Sequence, residues 1–157
     1  MKKTLLSTIM LCFVTLAAFA DDKQEALNFF NNYVKSANTY SSAITEMYAP
    51  NAKIIRQVVK PDGTTQDVNT NTATYIKQMK LGQAVAKLRH YTNRYTNVVV
   101  TPVATEKYKI SSLRQPSGET YKLKSYMVVK KQSNGKWIIV EEMMQTKEQI
   151  FLKYAKN

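Results

Sequence analysis

The chain has 157 residues, 44% of them hydrophobic, with 23 Lys and Arg against 11 Asp and Glu, one His and one Cys. That length can bury one adequate core without staples and suits a single domain. A net charge of +12 favours anionic partners, while one His and one Cys leave little for thiol chemistry or a transition-metal site.

Residues 1–20 read as an address. Lys2 and Lys3 form a basic start, Leu5 to Leu16 a short apolar run, and Ala18-Phe19-Ala20 an A-x-A cleavage site. The run is shorter than the ~20 residues that span a bilayer, so a cleaved signal peptide is expected rather than an anchor. Lipidation of Cys12 is not expected, because Leu11 precedes it and Phe13-Val14 follow. The expected mature chain is a single domain, residues 21–157, without cysteine or disulfide. Such a product fits a bacterial periplasm or the surrounding medium. Its positive charge is local: residues 87–136 hold eleven Lys or Arg against Glu106 and Glu119.

Residues 22–37 place Ala26, Phe30, Tyr33, Val34 and Ala37 on one helical face, opposite Lys23, Asn28, Asn31, Asn32 and Lys35. Asn38-Thr39 breaks the pattern. A shorter helix is expected next, capped by Ser41 or Ser42, carrying Tyr40, Ile44, Met47 and Tyr48, and ended by Pro50. The period then changes to two: residues 52–59 read as a strand, Pro61-Asp62-Gly63 as a turn and residues 65–69 as a weak returning strand. Thr70 or Thr72 can cap a third helix with Tyr75, Ile76 and Met79, for which Gly82 is the expected stop. Strands are expected over 88–103, 106–114, 120–131 and 136–146, with turns at Pro116-Ser117-Gly118 and Asn134-Gly135. A short terminal helix over 147–155 closes the pattern.

Helices followed by long antiparallel strands call for an α+β fold in which a curved sheet wraps the helices. The paired N-terminal helices, Met47-Tyr48-Ala49-Pro50-Asn51-Ala52, the Pro61-Asp62-Gly63 turn and Asn134-Gly135-Lys136-Trp137-Ile138-Ile139 carry a resemblance. Across residues 22–146 the chain resembles the nuclear transport factor 2-like (NTF2-like, SnoaL-like) superfamily. The resemblance implies a cone, a strongly curved and mainly antiparallel sheet packed against N-terminal helices. Different members use its pocket for catalysis, for ligand binding or only for assembly.

The resemblance also implies where chemistry would lie. Isomerase-like members carry a catalytic Asp on the first strand, and the matching position here is Arg56. Arginine stays protonated and cannot serve as a general base. An outward position on a strand edge is the favoured expectation for Arg56; if it faces the pocket, it can hold a carboxylate or phosphate. A dehydratase of this fold needs a histidine with an acidic partner, and His90 with Glu141 or Glu142 is the candidate set. Simple alternation along 137–144 puts Trp137, Ile139, Glu141 and Met143 on one face and Ile138, Val140, Glu142 and Met144 on the other, so one glutamate points inward. An inward glutamate paired with Arg56, Arg94 or Arg114 is a simpler account than catalysis. Tyr33, Tyr48, Tyr75 and Tyr126 join these arginines as candidate ligand contacts. Lys122, Lys124, Tyr126 and Lys130 with Lys107 and Lys109 suggest a basic outer sheet face.

The leading expectation is an exported, non-catalytic domain that binds a small hydrophobic or anionic ligand or a protein partner. A SnoaL-like acid–base enzyme acting on a small hydrophobic substrate, as isomerase, cyclase or dehydratase, is the alternative, and a periplasmic scaffold of an envelope or secretion complex a further one. An anionic envelope surface and a homodimer are the other partners considered. No cofactor, metal or nucleic acid is expected.

Overall fold

The structure, a computed structural model, describes residues 21–155, so the signal-peptide reading of residues 1–20 lies outside the described residues. Helix α1 occupies residues 21–38. A 3-10 segment, Ser42–Met47, leads into β1 (Tyr48–Val59) and β2 (Thr65–Thr70). Then come α2 (Thr72–Leu88), β3 (Asn93–Ala104), β4 (Lys107–Pro116), β5 (Leu123–Lys131), β6 (Trp137–Thr146) and a last 3-10 segment, Gln149–Tyr154. The strands form one sheet in the order β2-β1-β6-β5-β4-β3, parallel only between β1 and β6. Mainly antiparallel pairing and the N-terminal helix against the sheet agree with the expected α+β cone.

α1 supplies buried Ala26, Phe30 and Tyr33, which join Ile54 of β1, Ile110 of β4, Val129 of β5 and Ile139 of β6 in one core. Irregularities in β3, between Thr96 and Val99 and between Pro102 and Ala104, bend the edge of the sheet. Asn97 takes φ 54 there, a conformation that asparagine tolerates better than most residues. The end of α1 is clamped to β3. Asn38 donates to Asn93 O at 2.9 Å and accepts from Asn93 N at 2.9 Å.

Several local expectations are corrected. The second helix is only the six-residue 3-10 segment, capped by Ser41 Oγ accepting from Ala43 N at 3.3 Å. Tyr48 already belongs to β1, pairing with Ile139, and exposed Pro50 sits in the irregular stretch between Tyr48 and Lys53 where its missing N–H costs little. Gly82 does not stop α2: glycine costs about 1 kcal/mol against alanine, and the Gln, Ala, Lys and Leu residues after it are good helix formers. The strand expected from residue 88 therefore starts at Asn93. Asn71, rather than either threonine, caps α2 by accepting from Thr74 N at 2.8 Å. Buried Thr72 donates instead to Ala52 O at 3.0 Å, tying α2 to β1.

The decisive detail for the site is a bulge in β6. Val129 pairs with Ile139 and Val128 with Glu141, so Val140 is inserted without a cross-strand partner in β5. One inserted residue reverses the alternation beyond it. Trp137 and Ile139 face α1, and beyond the bulge so do Glu142 and Met144, while Glu141 and Met143 face the other way.

Candidate ligand site

Between α1, α2 and the inner face of the sheet lies an open cavity of about 510 Å³. That is within the usual range for a small-molecule site. Tyr33, Arg56, Tyr75, Tyr95 and Arg114 contribute polar groups to its wall, and Ile44, Met79, Met144 and Phe151 apolar ones.

Glu142 is fully buried behind this wall. Its Oε2 accepts from Tyr33 Oη at 3.2 Å and from Tyr48 Oη, and its Oε1 accepts from Arg56 Nη1 at 3.0 Å and Tyr75 Oη at 3.3 Å. The Arg56 guanidinium also lies over the Tyr75 ring, 4.5 Å from its centroid, and the Tyr48 and Tyr75 rings meet edge-on at 5.4 Å. Burial, seconded by the Glu142 charge, holds the Tyr33 and Tyr48 phenols well above the ordinary tyrosine range. Burial pushes Tyr75 up to about 12, although the nearby Arg56 charge opposes the rise. All three therefore remain O–H donors at neutral pH. Burial disfavours the Arg56 charge, but Tyr75 and Glu142 outweigh it and keep the guanidinium protonated.

Arg114 stands on β4, opposite Tyr95 of β3. Its Nη1 donates to Asn93 Oδ1 at 2.7 Å and Tyr91 Oη at 3.3 Å, and its Nη2 to Gln145 O at 2.7 Å. Burial raises the Tyr95 phenol well above its usual range, with the Arg114 charge acting against it.

No family model and no curated protein matches the chain. Solved structures do. An NTF-2 like protein of unknown function from Shewanella oneidensis superposes with a TM-score of 0.55 at 11% identity, over 81% of this chain and 98% of its own. The fold is that of the NTF2-like proteins. A Shewanella frigidimarina protein provisionally named a ketosteroid isomerase gives 0.54 at 18% identity, over 74% and 91%. One from Novosphingobium aromaticivorans, provisionally named a scytalone dehydratase, gives 0.57 at 11% identity, over 80% and 86%. Other proteins similar in fold are association or partner-complex domains.

Within this NTF2-like cone the candidate residues separate. Tyr33, Arg56, Tyr75 and Arg114 line the cavity, with Tyr48 and Glu142 directly behind. Arg56 thus faces inward rather than lying outward on a strand edge, because it shares with Ile54 and Val58 the side of β1 that meets the core and cavity. Glu141 lies on the opposite face, accepting from Tyr126 Oη at 2.7 Å, and the Tyr126 ring carries Lys109 Nζ 4.1 Å from its centroid. Arg94 is exposed on β3 and outside the cavity. His90 is exposed in the turn after α2 at φ 50, and its side chain bonds to neither glutamate. The expected His–Glu set is therefore not assembled, since α2 runs past Gly82 and places His90 at the helix end instead of in a strand. Sequence reasoning passed over Tyr91, Asn93, Tyr95 and Gln145. Period-two alternation from Asn93 to Tyr95 was the available signal for two of them.

A carboxylate has about four lone-pair positions, and Glu142 has four donors aimed at it. Three phenols and one guanidinium are turned inward on this carboxylate instead of outward on a ligand. Such a cage fixes the cavity wall and its shape.

Proposed function

We propose that this chain is an exported NTF2-like domain, periplasmic or secreted, whose cavity binds a small, largely hydrophobic molecule without transforming it. One observation carries this: a roomy cavity whose only neighbouring buried carboxylate among the described residues has its lone pairs committed to four protein donors. A general base must accept a proton from substrate, and an oxyanion stabiliser must present its donors to the reacting oxygen. Here both are directed at each other.

A neutral, environment-sensitive fluorophore such as N-phenylnaphthylamine tests the reading. Its emission should rise with the mature protein and stay low with Ala86→Trp, which fills the cavity from α2. The rival acid–base reading draws on the isomerase and dehydratase names of the proteins similar in fold. Turnover of a β,γ-unsaturated ketosteroid by the parent, lost in Glu142→Gln while that variant stays folded, would establish the rival instead.

A further inference from the structure

The two cavity arginines differ in one respect that bears on the ligand. Arg56 is neutralised by Glu142 at 3.0 Å. Arg114 has no such counter-charge among the described residues. It is 6% exposed, its acceptors are a phenol, an amide oxygen and a peptide carbonyl, and its Nε–H has no acceptor. Among the described residues no carboxylate forms an ion pair with it. Glu148, exposed and also lining the cavity, forms no ion pair with it. A guanidinium cannot shed its proton to escape burial, and buried charges in folded proteins are ordinarily paired.

The charged residues on the cavity wall are Arg56, Lys80, Arg114 and Glu148, with Glu142 behind Arg56, which leaves one positive charge in excess. Tyr95 stands directly across from Arg114 on β3, and Met144 and Phe151 add apolar surface to the same cavity.

We propose that the cavity ligand is an amphipathic monocarboxylate whose carboxylate seats on Arg114 and whose apolar body lies against Ile44, Met79, Tyr95 and Phe151. This deepens the ligand-binding reading and rests on it. Arg114 supplies the counter-charge; three of its five N–H groups are held by Tyr91, Asn93 and Gln145, so the Nε–H and one Nη2–H remain for the head group. Arg56 serves as part of the wall. A carboxylate matches the single excess charge, whereas a dianionic head group would leave one negative charge unbalanced in the same space.

Calorimetric titration of the mature protein with matched acids and amides, naphthylacetate against naphthylacetamide and decanoate against decanamide, separates the two levels. A charge-assisted hydrogen bond to Arg114 should make at least one acid about tenfold to a hundredfold tighter than its amide. Arg114→Gln should abolish that preference while amide binding stays within a few fold, and Arg114→Lys should restore part of it. Lys122→Gln, on the solvent side, should change neither. Circular dichroism establishes that the variants are folded; if neither folds, the acid-to-amide ratio of the parent decides. Equal binding of acid and amide overturns the monocarboxylate while leaving the ligand-binding reading intact. A preference that persists in folded Arg114→Gln removes the assignment to Arg114. No binding of any of the four compounds overturns both.

Discussion

Replacing Glu142 by glutamine keeps the side-chain shape and removes the charge at the centre of the cage behind the cavity wall. The carboxylate is fully buried, while the Arg56 side chain keeps 13% exposure. Glutamine retains one oxygen, with about two lone-pair positions, and presents an amide N–H₂ where the second oxygen was. Two of the four donors then meet a donor. Which two depends on the rotamer, but Arg56 loses its counter-charge in either. Breaking a buried ion pair from one side costs about 3–5 kcal/mol. The exposure of Arg56 to the cavity lets water recover part of this, which places the expected loss near ~3 kcal/mol. A domain of this size has about 5–15 kcal/mol in total, so the loss should lower Tm by roughly 10 °C. Trp137 is the only tryptophan and packs edge-on to Tyr108 at 5.9 Å, so its fluorescence reports urea unfolding directly. Arg56→Met combined with Glu142→Leu should cost less than the two single changes added, with a coupling of about 1 kcal/mol or more. A loss below about 1 kcal/mol in Glu142→Gln, at unchanged m, would refute the claim that this carboxylate organises the wall.

Two further outcomes follow from the same geometry. Tyr33, Tyr48 and Tyr75 have folded pKa values raised above the free phenol, so their contribution to stability is whole below about pH 10 and is lost as pH climbs through the folded values, about 12 for Tyr75; phenolate absorbance should therefore show these three ionising only as the protein unfolds, and ordinary titration of all ten tyrosines with the fold intact would contradict the cage. Gly82→Ala should stabilise the protein by about 0.5–1 kcal/mol, because Gly82 lies inside α2 and an added Cβ meets nothing within 4 Å; a fall in Tm would mean that α2 is not helical at that point.

The local sequence determined the elements and most of their edges. Helical spacing of Ala26, Phe30 and Tyr33 named the buried face of α1, and β-branched runs bounded by Gly63, Gly118 and Gly135 placed turns where the structure takes positive φ at all three. These are short-range effects, set by side-chain period and by what glycine allows, so they are legible without a fold. The extent of α2 was less legible, because one glycine within good helix formers is a weak stop. Tertiary structure alone decided the site. Alternation along β6 leaves Glu141 and Glu142 equivalent until the inserted Val140 is known, and that insertion exists only in the pairing of β6 with β5. Once it is made, Glu142 meets Tyr33 from α1, Tyr48 and Arg56 from β1 and Tyr75 from α2, partners 67 to 109 positions away along the chain. No local pattern encodes which charges end up paired across such separations. For the same reason Arg56 and Arg114, alike as residues, became a neutralised wall element and a buried charge without an ion-pair partner among the described residues.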